Sequence, residues 1–219
     1  MITLLVADDH PLYRDALRGA LTMSFSDLKL LEAADLMQTV ALLEQHSDID
    51  LLLLDLHMPG SGDLFGLIHI RKLFPELPVA VVSGLDEPTI ITKVINLGAL
   101  GFVPKTTGAA QIAHAVTSML EGDIWLPEGY ASDGVELDNA FTELADKIAS
   151  LTPAQYKVLC YMRDGLLNKQ IAYNLDIATA TVKAHVTAIF KKLHINNRTQ
   201  AVLIASQLQL EPPAATPST

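Results

Sequence analysis

The sequence predicts two folded units, a doubly wound (βα)5 α/β domain with a parallel sheet over residues 1–121 and a small all-α domain of four helices over residues 151–208. Three observations predict this. Leu51-Leu52-Leu53-Leu54, bounded by Asp50 and Asp55 and followed by Pro59-Gly60, reads as a short strand buried on both faces, as inside a parallel sheet. Around it, short apolar runs alternate with longer amphipathic ones, the rhythm of strands and crossover helices. After Leu151-Thr152-Pro153 the strand signal stops and only helical periodicity remains.

In chain order, Ile2–Ala7 is a strand and Pro11–Met23 an apolar-striped helix; Leu28–Glu32 is a weak strand and Leu36–His46 a helix. Asp50–Leu54 is the central strand, followed by helix Leu64–Phe74, strand Pro78–Val82 and helix Glu87–Leu97. Strand Gly101–Val103 and helix Ala109–Leu120 complete the series. Pro75 with Pro78, and Gly98 with Gly101, bracket two of the loops. Residues 122–150 form an acidic linker in which Trp125 and Leu126 are expected to pack back on the last helix of the first domain. Ser132–Asp138 reads as exposed connector, and Asn139–Ile148 as a short helix with a weak stripe of Phe141, Leu144 and Ile148. In the second domain Thr152 caps a helix whose first turn holds Pro153, Gly165 ends it, and Asn168 is the expected cap of the next. Thr179–Leu193 is the third helix and Asn197–Leu208 the fourth; residues 209–219, rich in Pro, Thr and Ser, read as a disordered tail.

The net charge of −10 is unevenly distributed: residues 1–121 carry 7 Lys/Arg against 15 Asp/Glu, residues 122–150 carry 1 against 7, and residues 151–219 carry 7 against 3. Only the last domain is suited to approach a polyanion. The single cysteine, Cys160, excludes an internal disulfide and is expected as a buried thiol. Charged residues interrupt the opening segment, and no apolar run is long enough to span a bilayer, so a cytoplasmic protein is expected.

Polar residues fall at successive strand ends: Asp8 and Asp9, then Asp55, Ser83 and Lys105. In a parallel sheet these ends share one edge, where ligands bind. Each residue alone has a plain structural reading: Asp8 as a helix cap, Ser83 beside Gly84 as turn chemistry, Lys105 as a solvated lysine. Together they make a site. Close carboxylates repel one another, and a hard divalent cation such as Mg²⁺ relieves that repulsion. Asp55 is then placed to act as nucleophile, forming an acyl phosphate whose charge is held by the metal and Lys105, with Ser83 donating to a phosphoryl oxygen.

This half resembles the receiver domain of two-component response regulators. The resemblance runs through Asp8-Asp9-His10, Asp55-Leu56-His57-Met58-Pro59-Gly60, Ser83-Gly84 and Phe102-Val103-Pro104-Lys105. It implies that Asp8 and Asp9, with Asp55, hold Mg²⁺, that Asp55 is the phospho-acceptor, and that Lys105 pairs with the phosphate. Ser83 is then the switch hydroxyl and Phe102 the switch aromatic that turns inward. Ser61-Gly62-Asp63 departs from the Asp-Gly pair more usual in relatives.

Two short helices joined by a tight turn, the second presenting Lys183, His185 and Thr187, match a helix-turn-helix. Small Thr179, Ala180 and Ala184 would let that helix sit deep in a major groove, while Lys191 and Lys192 lie where phosphates are the target. The second half resembles the LuxR/NarL-type DNA-binding domain through Asn168-Lys169-Gln170-Ile171-Ala172, Thr181-Val182-Lys183-Ala184-His185, Lys192-Leu193 and Asn197-Arg198-Thr199. The resemblance places Lys183, Ala184 and Thr187 at the groove and the fourth helix in a dimer interface. Ala154-Gln155 replaces the usual Arg-Glu, and Ala178 replaces a capping serine for which Thr179 is expected to substitute.

The leading function is a phosphorylation-controlled regulator of transcription. Its partners are a sensor histidine kinase and double-stranded promoter DNA, and it is a homodimer when active. The rivals are a module whose helical domain docks on a protein, and a phosphotransfer enzyme; no separate general base or substrate pocket is legible for the latter. The long linker leads to the expectation of an equilibrium between a closed monomer, with its recognition helix obstructed by the receiver, and an open form that pairs on DNA, which phosphorylation favours.

Overall fold

The computed structural model describes residues 1–62, 64–130 and 139–207. The first domain runs β1 (Ile2–Ala7), α1 (Pro11–Ser24), β2 (Leu28–Ala33), α2 (Leu36–Gln45), β3 (Leu51–Asp55), α3 (Leu64–Leu73), β4 (Val79–Ser83), α4 (Pro88–Asn96), β5 (Gly101–Pro104) and α5 (Ala109–Leu120). Every strand pair is parallel and the order is β2-β1-β3-β4-β5, so the chain reverses direction across the sheet between β1 and β3. That reversal opens a crevice at the carboxyl ends of these strands.

Side-chain alternation along β3 divides the core. Leu51 and Leu53 face a layer with Leu17, Leu21, Ile112 and Val116 of α1 and α5, while Leu52 and Leu54 face α2, α3 and α4 through Leu36, Leu67 and Val94. All five β3 residues are buried, as a doubly covered strand requires, whereas β2 at the sheet edge is mostly half-buried. The other edge, β5, is covered by Trp125, whose N–H donates to Leu100 O at 3.0 Å and whose carbonyl accepts from Phe102 N at 3.1 Å. Trp125 therefore packs beside α5 as expected, but along the strand as well.

α6 (Asn139–Ala149) precedes the second domain, which contains α7 (Pro153–Arg163), α8 (Asn168–Asn174), α9 (Thr179–Leu193) and α10 (Arg198–Gln207). Thr152 and Gln155 form a reciprocal capping box at the start of α7, and Gly165 follows its end at φ +80°. Asn168 is not the cap of α8: it is the first helical residue, and the Leu167 N–H is satisfied instead by Gln170 Oε1 at 2.7 Å. Nor does Thr179 replace the missing serine, since it is the first helical residue of α9 and the cap position is Ala178, with no side-chain cap. Cys160 is fully buried. The expected exposed connector Ser132–Asp138, Leu208 of the fourth helix and the tail at 209–219 lie outside the described residues.

α6 does not hang free between the domains. It packs on α3, and Ala145, Ile148 and Ala149 join one apolar cluster with Phe65, Ile68 and Leu159. Tyr156 of α7 extends this contact: its ring stacks on Phe65 with centroids 4.1 Å apart, and its hydroxyl donates to Gly62 O at 2.8 Å. His69 also stacks on Phe65, with centroids 5.4 Å apart. The loop beneath is tightly fitted, because a side chain at Gly66 would collide with Ser61 Oγ.

Candidate functional site

Strand register brings the first group of polar residues together. Ala7 pairs with Leu54, so Asp8 emerges beside Asp55; Asp55 pairs with Val82, which puts Ser83 one step beyond; Ser83 pairs with Pro104, which delivers Lys105. Asp8 and Asp55 are each 1 % exposed and Ser83 is fully buried, at the mouth of a cleft of about 560 Å³ lined by His10, Tyr13, Asp55, His57 and Lys105. Lys105 Nζ lies 2.8 Å from Asp55 Oδ2 and 2.7 Å from Asp8 Oδ2. The His57 N–H donates to Asp55 Oδ1 at 3.1 Å, and Ser83 Oγ accepts from Leu85 N at 3.2 Å. Phe102 is fully buried beneath this edge.

Burial pushes the Asp55 carboxyl above its ordinary range. Lys105 opposes that push and Asp8 adds to it. Burial alone would lower the Lys105 ammonium, but hydrogen bonds to Asp55 and Asp8 more than offset it and hold it above its usual value. Ionised Asp55 is thus short of positive charge even with Lys105 beside it, the condition under which a cation is favoured. Ligand-capable atoms of Asp8, Asp9, His10 and Asp55 all lie within 4.8 Å of one another, so the donor set fits a metal ion.

Several contributors were not assigned from the sequence. His10 Nδ1 stands 2.7 Å from Asp9 Oδ1 and 3.1 Å from Asp8 Oδ1, and its backbone N–H donates to Asp8 Oδ1 at 2.8 Å. Arg14 Nη1 braces the Asp8 carbonyl at 2.5 Å. Tyr13 lies under Lys105, with Nζ 5.1 Å from the ring centroid. Position 13 does carry a signal, a large aromatic two residues into a helix that starts beside the acids, but nothing in periodicity separates it from core.

In the second domain Thr181, Lys183, Ala184, Thr187 and Lys191 of α9 are exposed and His185 is half-buried. The receiver does not cover this face, so the arrangement is that of the expected open form rather than of the obstructed one. Lys192 also differs from expectation. Its ammonium donates to Ser150 O at 2.6 Å and to Gln155 Oε1 at 2.8 Å, tying α9 to the α6–α7 junction rather than reaching outward.

Sheet order, acid cluster and paired lysine define a phospho-acceptor domain joined to a helix-turn-helix domain. Residues 4–117 match the response regulator receiver domain and residues 149–205 the luxR family of bacterial regulatory proteins. The chain is 41% identical over 213 residues to the glycerol metabolism activator of Pseudomonas putida, covering 95% of this chain and 96% of the relative. It is 30% identical over 208 residues to the nitrate/nitrite response regulator NarL of Escherichia coli K12, covering 94% and 95%. RcsB of Salmonella enterica serovar Typhimurium, solved on promoter DNA with a phosphomimetic, aligns with a TM-score of 0.55 at 25% identity, covering 94% of this chain and 98% of that one. The chain belongs to the two-component response regulators with a LuxR-type regulatory domain.

Proposed function

We propose that a sensor histidine kinase phosphorylates Asp55, and that this controls binding of residues 151–208, as a homodimer, to double-stranded promoter DNA. The domains are a receiver at 1–121, a linker at 122–150 and a DNA-binding domain at 151–208. The observation that carries the reading is the convergence of Asp8, Asp9, Asp55, Ser83 and Lys105, from four strand ends, on one buried edge. Among the described residues no helix is long and apolar enough to cross a membrane, and a DNA-directed regulator belongs in the cytoplasm.

In the reaction an Asp55 oxygen attacks the phosphorus of the donor, the bond from phosphorus to the leaving group breaks, and an acyl phosphate forms. Lys105 favours the ionised form of Asp55 beforehand, against the push of burial, and is close enough to pair with the new phosphoryl oxygens afterwards. Ser83 supplies a hydroxyl donor on the other side. Mg²⁺, held by Asp8, Asp9 and Asp55, would neutralise charge on the phosphoryl group as it is transferred. The protein is a regulator rather than a metabolic enzyme; slow autodephosphorylation fits the same site.

Metal binding has a readout without any phosphoryl transfer. Mg²⁺ is expected to raise the melting temperature of the native chain, with stabilisation of roughly 2.7 kcal/mol at a hundred times the dissociation constant. Asp8→Asn and Asp9→Asn should each remove most of that gain in differential scanning fluorimetry. A full Mg²⁺ response in both variants would remove the metal from these acids.

DNA recognition is assigned to the exposed face of α9: Lys183, Ala184 and Thr187 at base edges, with Thr181, His185 and Lys191 flanking them. In fluorescence-anisotropy titrations of the full chain, Lys183→Ala should lose roughly 1–3 kcal/mol of preference for the specific site. Lys191→Ala should weaken all sequences alike and reduce the slope of log affinity against log salt by about one. Lys192→Ala should instead lower the melting temperature, because its partners belong to the protein itself. Unchanged discrimination in Lys183→Ala, with no loss in Lys191→Ala, would move the interface off α9 and favour a protein-docking role.

A further inference from the structure

We propose that Tyr13 is a positioning residue for Lys105, its ring holding the lysine ammonium in the phospho-acceptor cleft when the lysine's carboxylate partners are drawn elsewhere. The kinetic part of this proposal rests on Asp55 being the phospho-acceptor.

Among the described residues Lys105 Nζ meets Asp55 Oδ2 at 2.8 Å, Asp8 Oδ2 at 2.7 Å and the Tyr13 ring, whose centroid is 5.1 Å away. The two carboxylates are also the groups with other work to do. An Asp8 oxygen turned toward a cation no longer serves the lysine, and an Asp55 oxygen esterified by a phosphoryl group carries no charge of its own. The ring face is the contact whose electrostatics survive both events. Attraction between an ammonium and an aromatic face is strongest where water is excluded. Lys105 is mostly withdrawn from solvent, with a side-chain exposure of 18%.

The placement of Tyr13 has a second feature. Its hydroxyl is buried and has no hydrogen-bond partner among the described residues. Burial, with the negative charges of Asp8 and Asp55, pushes its pKa up to about 12, so the phenol stays neutral and its ring keeps the same face toward Lys105 at any physiological pH. A buried hydroxyl left unsatisfied costs stability rather than adding to it. The hydroxyl therefore does not explain the aromatic at this position, whereas the ring–ammonium contact does.

The test compares Tyr13→Phe, which keeps the ring, with Tyr13→Leu, which keeps bulk and helix propensity but not the aromatic face. In the first measurement, free of phosphoryl transfer, surface amines of the metal-loaded full chain are acylated with limiting acetic anhydride and Lys105 modification is followed by peptide mass. Lys105 should react about fivefold faster in Tyr13→Leu than in the native chain, the size of one partly desolvated cation–π contact, and at the native rate in Tyr13→Phe. In the second, phosphorylation by acetyl phosphate should slow by about the same factor in Tyr13→Leu and be retained in Tyr13→Phe. Adding Tyr13→Leu to Lys105→Ala should cost nothing further, because the ring acts through the lysine. Equal acylation of Lys105 in all three proteins overturns the proposal whether or not Asp55 is the acceptor. So does a Tyr13→Phe protein that behaves like Tyr13→Leu, or an undiminished Tyr13→Leu effect in the Lys105→Ala background. Failure of the native chain to be labelled, with the acylation pattern intact, instead sinks the assignment of Asp55 and leaves the ring–lysine contact standing.

Discussion

Incubated with a small phosphodonor and Mg²⁺, the full chain is expected to gain one acid-stable, base-labile phosphoryl group, and Asp55→Asn is expected to gain none. Intact-mass measurement before and after mild base gives the answer directly. The expectation is all-or-none because Asp55 alone combines a buried strand-end position, a lysine partner and an open approach from the cleft. Asp8 shares the lysine, but its other oxygen is committed to the His10 N–H. Equal labelling of the two proteins would place the acceptor elsewhere. The same substitution carries a stability signature. The folded-state pKa of Asp55 is raised, so the fold favours the neutral acid, and ionising it destabilises the fold as pH rises from the ordinary carboxylate range through the raised value. Without metal, Asp55→Asn should therefore melt above the native chain at neutral pH. That advantage should close as pH falls below the ordinary carboxylate range.

Tyr156→Ala is expected to cost roughly 3–5 kcal/mol, the range for deleting a buried aromatic, and to uncouple the two domains. Tyr156 is fully buried; it stacks on Phe65 of α3 and donates to Gly62, seven residues beyond Asp55 in the same loop. Removing the ring strips apolar cover from Phe65 and leaves the Gly62 carbonyl without this donor. Tyr156→Phe isolates the second effect and should cost only about 1 kcal/mol. The readouts are thermal unfolding and limited proteolysis between residues 130 and 139. The native chain should melt in one transition, and the alanine variant should cleave faster and melt in two. A single, unshifted transition in Tyr156→Ala would show that the contact contributes nothing. If the contact matters, phosphorylation at Asp55 has a short mechanical route to α7, and through Lys192 at the α6–α7 junction to the recognition helix.

The α/β architecture was legible because β3 is leucine at its first four positions and Pro and Gly punctuate the loops; element ends moved by one or two residues. The chemistry at the sheet edge was legible because strand ends of a parallel sheet coincide, so residues far apart in sequence could be grouped without knowing register. Lys192 was misread because a basic residue in the last turn of an outward helix looks the same whether it faces phosphate or a neighbouring carbonyl. Asn168 was misread as a cap because Gln170 supplies the acceptor from inside the helix. The Tyr156 contact left a trace: α7 buries Tyr156 and Cys160 on one side, and Val158, Leu159 and Met162 around another. A helix apolar on more than one side needs more than one neighbour. Which neighbour it meets is a long-range fact that periodicity does not contain.

Trp125, described above as the cover of an exposed sheet edge, is the only tryptophan in the chain. Its carbonyl holds the N–H of Phe102, and a side chain on Gly101 would strike that carbonyl, so the Trp125 backbone is fitted closely to the strand that carries the proposed switch aromatic. The molecule thus contains its own optical label. If Phe102 turns inward as proposed, the emission of this one native chromophore is expected to change with it, which would let activation be followed in real time without attaching a dye or changing a residue.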